Sequence, residues 1–280
     1  MKSSPDDLGY FILHKPRGTL SSRVDANVTN LIQDRCHPRF GKQKGGVPCT
    51  TVYDISSKAG FPTNFGLVGR LDKDTSGIML MTNDNQLATA LRNPDDEKGI
   101  EIEEDDGSPH ESSLLSPSSF EPFKVKVYRA IFMARKKTVM SRAFSDRELE
   151  ELAEKLSDPF TFRRNGNEYH TQRSNVQIFK QFQDENYRKG RDDLGWCIDI
   201  EIRISEGKHH QIRRIASRGN FCVLSLIRTC IASILHLDSI PNEGDCRYLT
   251  EEEIQSIKGF CSTYDAQRTG DQARVVICDT

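Results

Sequence analysis

The sequence predicts an α+β fold, and three observations carry that prediction. Residues 196–204 alternate strictly, with Trp196, Ile198, Ile200, Ile202 and Ile204 on one face and Cys197, Asp199, Glu201 and Arg203 on the other, the period of a half-buried strand. Two capping boxes, Ser145-Asp146-Arg147-Glu148 and Thr250-Glu251-Glu252-Glu253, open helices. Strands and helices follow one another without the regular β-α-β alternation of a doubly wound sheet.

Each element has its own local warrant. The apolar run 10–14, closed by Lys15-Pro16-Arg17-Gly18, predicts a strand ended by a turn. Residues 35–48 hold Arg35, Arg39, Lys42, Lys44 and three glycines, the composition of a mobile basic loop. Residues 78–82 predict a buried strand. Asn83 or Asp84 then caps a helix to about Arg92, with Leu87, Ala88 and Leu91 on one face. Residues 123–132 alternate as a strand. The first capping box opens a helix to about Leu156. Residues 163–193 are polar and poorly periodic, and read as hairpin and loop. A helix is expected over about 209–217, strands over 221–226 and 231–237, and a short helix after the second capping box.

Charge narrows the partner. The chain of 280 residues has a net charge of -2, with 39 Lys+Arg against 41 Asp+Glu. Residues 93–122 hold ten acids and one base, net −9, which leaves +7 for the rest. A basic body with an acidic segment points to a polyanion partner. The acidic segment is rich in serine and proline and poor in large apolar residues, so disorder is expected there. No apolar run reaches the ~18 residues a membrane helix needs. The first residues carry neither a secretory signal nor an Arg-rich transit sequence. Eight scattered cysteines without a C-x-x-C pair read as free buried thiols rather than a zinc site.

Chemistry concentrates in residues 66–84, where an acid, a base and small turn residues lie between two apolar runs. Taken alone, the segment leaves three readings open. Asp72-x-Asp74-x-Ser76-Gly77 matches the opening of a calcium loop, but its twelfth position is Asn83 where the loop wants Glu. Asp72-Lys73-Asp74 has the D-x-D spacing of a phosphatase nucleophile, with Ser76 where that motif has Thr or Val. The third reading is a turn with two solvated acids.

The rest of the chain decides among them. Gly69-Arg70-Leu71-Asp72-x-x-Thr75-Ser76-Gly77, followed by an apolar strand and Thr82-Asn83-Asp84, resembles the catalytic motif of pseudouridine synthases of the RsuA-type branch. Three further blocks stand in that family's order. Residues 10–18 resemble its opening strand and Lys-Pro-x-Gly turn, and Lys126-Val127-Tyr128 resembles its Lys-x-Tyr strand. The run from Glu206 through Gly207-Lys208-His209-His210-Gln211-Ile212-Arg213 to Arg214, with Leu224 to Arg228, Leu235-x-Leu237 and Gly244-x-x-Arg247-x-Leu249, resembles its C-terminal half. The His209-His210-Gln211 stretch is also similar to the sister RluA-type branch, which leaves the branch open. The resemblance covers about 9–255. It implies one catalytic domain over 1–280, with a core of about 9–92 and 123–255. The remainder is a disordered acidic insertion 93–122, a polar insertion of about 136–193 and a C-terminal extension 256–280. Many members begin with a small RNA-binding domain, whereas here the catalytic domain starts almost at Met1.

The resemblance implies a mixed, mainly antiparallel sheet with flanking helices and loops, and an active-site cleft between two subdomains. The implied reaction isomerises a uridine in RNA, breaking its glycosidic bond to nitrogen and remaking it to a ring carbon. Asp72 is the implied catalytic carboxylate, as nucleophile or as base. A carboxylate in a closed site needs a cation to stay ionised, and the family assigns that to Arg213. Tyr128 is placed against the target base. Arg70, Lys15, Arg17, Lys208, His210, Gln211, Arg214 and Arg228 are the expected RNA contacts. Leu71 and Ile212 are expected to pack beneath the site, and Gly69 and Gly77 to permit tight backbone turns. The reaction needs no metal, redox cofactor or nucleotide, and no Walker or G-x-G-x-x-G pattern occurs. The expected partner is structured RNA, ribosomal RNA first, bound by a monomer with no membrane attachment. The expected location is intracellular, the cytoplasm first, with nucleus and organelle open. The alternative is a non-catalytic RNA-binding or ribosome-assembly protein on the same fold.

Overall fold

The structure, a computed structural model, describes residues 8–23, 50–92, 124–135, 142–184 and 195–259. The basic loop 35–48 and the acidic segment 93–122 lie outside the described residues. In chain order the elements are β1 (Tyr10–Lys15), α1 (Val52–Lys58), β2 (Gly66–Val68), β3 (Ser76–Thr82), α2 (Asn85–Leu91), β4 (Lys126–Ala134), α3 (Asp146–Ser157), β5 (Thr161–Arg164), β6 (Asn167–His170) and β7 (Asn175–Asp184). There follow β8 (Gly195–Ile204), α4 (Gln211–Arg218), β9 (Phe221–Ile231), β10 (Leu235–His236), a 3-10 turn (Leu237–Ser239), β11 (Cys246–Tyr248) and α5 (251–259). None of the described helices is long and apolar enough to cross a membrane.

Nine strands form one sheet with the path β11-β1-β3-β9-β4-β8-β7, with β10 on β9 and β2 on β3. The pairs are antiparallel except β3 with β9, which run parallel through Ser76↔Ile227 and Gly77↔Arg228. The fold is therefore the α+β class the sequence predicts, with a mainly antiparallel sheet.

The alternation of 196–204 does what its period requires. Ile198, Ile200, Ile202 and Ile204 of β8 are buried in one cluster with Tyr128, Phe132, Leu156, Ile212 and Ile215. Each such side chain contributes about 1.5–3 kcal/mol of transfer free energy. A second cluster joins β1, β3 and α2 through Ile12, Leu80, Leu87 and Leu91. The helix after β3 is capped by Asp84, which accepts from Leu87 N at 3.0 Å and from the Tyr10 hydroxyl at 2.7 Å. Asn83 accepts from Gly9 N at 2.7 Å, so the Thr-Asn-Asp that ends the motif ties β3 to β1. Both predicted capping boxes form, at Ser145 with Glu148 and at Thr250 with Glu253.

Two expectations need correction. Residues 175–184, read as hairpin and loop, are a ten-residue edge strand, β7. A bulge between Ile178 and Lys180 breaks the alternation that would have marked it, and an edge strand stays half exposed on both faces. Residues 231–237 are not one strand. Ala232 and Ser233 adopt φ of 58° and 56°, turning the chain so that β10 pairs back on the end of β9.

Candidate active site

Asp72 sits in the loop between β2 and β3, and that loop is held by the first block of the chain. Gly18 N donates to Lys73 O at 2.7 Å, and the Ser21 hydroxyl donates to Leu71 O at 2.8 Å. The Lys15 ammonium donates to the carbonyls of Pro16, Lys73 and Thr75, the last at 2.7 Å. Leu71 is buried against the main cluster with Ile212, as expected. Gly69 and Gly77 hold φ of 75° and 115°, values that favour glycine.

The cation comes from 141 residues away. Arg213 Nε, on α4, donates to Asp72 Oδ2 at 3.2 Å, and its NH2 donates to the Thr75 hydroxyl at 3.4 Å. His210 Nε2 lies 3.5 Å from Asp72 Oδ1 and pairs with it when protonated. His209 stacks on His210, with ring centroids 3.8 Å apart. Its pKa is pushed down to about 4, by burial first and then by His210, Arg164 and Arg214, against the pull of Asp72.

The start of α4 explains two of the expected RNA contacts. His210 occupies the left-handed region, with φ 55°, and supplies no side-chain cap. An internal network lies beside this turn. Gln211 Oε1 accepts from Lys208 N at 3.1 Å, Gln211 Nε2 donates to the buried Glu206, and Lys208 Nζ pairs with Glu206 at 3.0 Å. Lys208 and Gln211 are therefore tied to Glu206 rather than free for phosphates, although both also line the cavity beside Asp72.

Lys15 needs the same correction. It is 0% exposed and its ammonium is spent on three carbonyls, which leaves it no face for a phosphate. Arg228 is also buried. Its Nε donates to Ile78 O at 2.8 Å, and its NH2 has no hydrogen-bond partner among the described residues. Arg17 and Arg70 are exposed, while Arg213 and Arg214 are half-buried.

Tyr128 on β4 sits opposite Ile202 of β8 and Arg228 of β9. It is buried in the main cluster yet lines the same cavity as Asp72, Arg213, His210 and Arg228. That cavity has a volume of about 890 Å³, within the range that encloses a small ligand. The structure thus brings the three expected catalytic residues to one opening.

Burial gives Lys15 a measurable signature. Desolvation pushes its pKa down to about 8, although Asp72 and Asp74 pull it upward. An unfolded lysine titrates near ~10.4. Below pH 8 the ammonium is charged in both states, and its burial cost is fully present. Between about 8 and ~10.4 the unfolded chain binds the proton and the folded chain does not, so this group makes stability rise with pH. The parent is expected to gain up to about 3 kcal/mol over Lys15→Met across that interval. Urea unfolding of both proteins at a series of pH values checks this, and a difference that stays flat with pH contradicts it.

The comparisons with known proteins follow the same residues. Residues 9–102 match the RNA pseudouridylate synthase family. The chain is 28% identical over 138 residues to ribosomal large subunit pseudouridine synthase B of Bacillus subtilis, covering 41% of this chain and 48% of that one. It is 26% identical over 245 residues to the RNA pseudouridine synthase YtzG of the same organism, covering 88% of this chain and 71% of that one. The chain is similar to pseudouridine synthases. It spans about half the length of the first of these relatives. A solved structure described as a pseudouridylate synthase covers 90% of this chain and 74% of its own, at 20% identity and a TM-score of 0.49.

Sequence reading missed part of the cavity wall. Phe162, Arg164, Tyr169, His209, Lys124 and Lys126 line it as well. A signal for the hairpin residues was present. Asn165-Gly166 takes φ of 52° and 88°, the two-residue turn that such a dipeptide favours. Counting outward from it pairs Arg164 with Asn167 and Phe162 with Tyr169.

Proposed function

We propose that the protein isomerises a uridine in RNA to pseudouridine, with ribosomal RNA as the substrate class. The observation that carries the proposal is the Asp72 carboxylate, paired with Arg213 at 3.2 Å and open to a cavity that Tyr128 also lines. One relative is named for the large ribosomal subunit and the other, uncharacterized, for RNA, which supports the substrate class.

The chemistry assigns each residue one task. The target uridine leaves its stack and enters the cavity, at an unstacking cost of a few kcal/mol. Asp72 acts at the ribose or at the base while the bond from C1′ to N1 breaks. The uracil turns, C1′ bonds to C5, the C5 proton leaves and N1 takes up a proton, so product and substrate are isomers. Arg213 holds the carboxylate in place, and Thr75 holds the far end of the guanidinium. Tyr128 presents its ring to the uracil. The exposed Arg17 and Arg70 meet phosphates, and Arg214 joins them from α4.

Mapping pseudouridine in total RNA from cells with and without the protein tests the reading. A uridine that is isomerised only when the protein is present is the expected result, and it names the substrate. RNA bound with no new pseudouridine would favour a non-catalytic RNA-binding protein on this fold.

A further inference from the structure

The β5–β6 hairpin carries a feature that the isomerisation does not use. Phe162 and Tyr169 are cross-strand partners whose rings stack, with centroids 5.2 Å apart and planes 11° from parallel. The Arg214 guanidinium lies 4.0 Å from the centre of the Phe162 ring. Phe160 meets the same ring at 6.0 Å. Phe162 is thus held by three neighbours. Tyr169 has Phe162 as its one ring or cation contact among the described residues.

Packing of the hairpin accounts for Phe162, because two short strands need an apolar pair to stay together. The same packing places Tyr169 opposite Phe162, but it does not require that ring to line the Asp72 cavity. Nor does it account for Arg164, exposed at the end of β5 and lining the same cavity near Arg214. Burial lowers the Arg214 pKa, and the charge of Arg164 lowers it further. Like charges gathered at a cavity wall are relieved by an anion, and an aromatic ring beside them takes a base.

We propose that the hairpin is a stacking wall for a second nucleotide of the RNA. Tyr169 offers its uncovered ring to a base next to the uridine in the cavity, and Arg164 and Arg214 hold the intervening phosphate. The proposal rests on the pseudouridine synthase reading. Every base has a π-face, so this wall sets affinity and reach rather than base choice.

Two full-length variants test it. Tyr169→Leu removes the ring but keeps an apolar body on the hairpin, and Tyr169→Phe restores the ring. Binding is read with a fluorescein-labelled oligouridylate, every protein also carrying Asp72→Asn. Pseudouridine formation is read, with Asp72 intact, on total RNA from cells lacking the protein. Tyr169→Leu is expected to weaken binding about 5- to 150-fold and to raise KM by the same factor, with kcat within about twofold. Tyr169→Phe is expected to match the parent. Arg164→Glu places no burden on the fold, because the residue is exposed. It is expected to weaken binding and to flatten the slope of log affinity against log salt by about 0.7. Parent-like binding and KM in both Tyr169→Leu and Arg164→Glu overturn the stacking wall, whether or not pseudouridine is made. Tyr169-dependent binding without any pseudouridine leaves the wall standing and overturns the synthase reading.

Discussion

Asp72→Asn is expected to lower isomerisation by about 10⁴-fold or more while RNA affinity stays within a few-fold of the parent. The substitution is close to isosteric. The side-chain carbonyl can still accept from Arg213 Nε, and the bond from Arg213 to Thr75 is untouched. What is lost is the negative charge and the second carboxylate oxygen, the one His210 faces at 3.5 Å. Neither oxygen supports the sheet, because the loop is pinned through backbone groups by Lys15, Gly18 and Ser21. Stability should therefore change little. Removing one anion from a site lined by Arg213, His210 and Arg70 favours phosphate, so affinity should hold or tighten slightly. Single-turnover pseudouridine formation with filter binding on the same RNA separates the two effects. Activity within tenfold of the parent would remove Asp72 from the chemistry and return it to the solvated-turn reading.

The sequence exposed most where one local rule decided the outcome. The capping boxes at Ser145 and Thr250, the cap at Asp84 and the alternation of 196–204 each depend on neighbours a few residues away, and each took its expected form. The encounter of Asp72 with Arg213 could not be read from spacing. It depends on β3 and β9 lying side by side, and only the family resemblance joined the two residues. Residue type was a poor guide to burial. Lys15, Lys208, Gln211 and Arg228 have the composition of an RNA-binding surface, yet they are drawn inward by carbonyls, by Glu206 and by a β3 carbonyl. Burying a charge is costly unless partners are supplied, and those partners come from segments far away in sequence. The wall formed by Phe162 and Tyr169 was missed for another reason. Its turn signal, Asn165-Gly166, lies in a polar stretch whose periodicity is weak.

Gly77→Ala is expected to be the most destabilising single change in the motif. Gly77 stands at φ 115°, outside the regions that residues with a Cβ readily occupy. An added Cβ would also fall on the Arg228 carbonyl oxygen and lie 2.5 Å from the Arg228 amide nitrogen. Both obstacles are backbone atoms of β9 and cannot rotate away. The parallel contact Gly77↔Arg228 would have to open. That movement would strain the Arg228 bond to Ile78 O and displace Thr75, two residues before Gly77, with the Arg213 contact it holds. Backbone strain and overpacking together should cost about 3–5 kcal/mol, a fall of roughly 6–20 °C in Tm. Gly69→Ala supplies the control, because Gly69 also has a positive φ, 75°, but no atom within 4 Å of an added Cβ. Its cost should be the conformational part alone, about 1–3 kcal/mol. Thermal and urea unfolding of the two variants separates strain from steric conflict. Equal losses would mean that β3 and β9 accommodate a Cβ at Gly77 without steric conflict. A larger loss for Gly77→Ala, with isomerisation falling further than the unfolded fraction explains, would show that the glycine sets the spacing on which the Asp72–Arg213 pair depends.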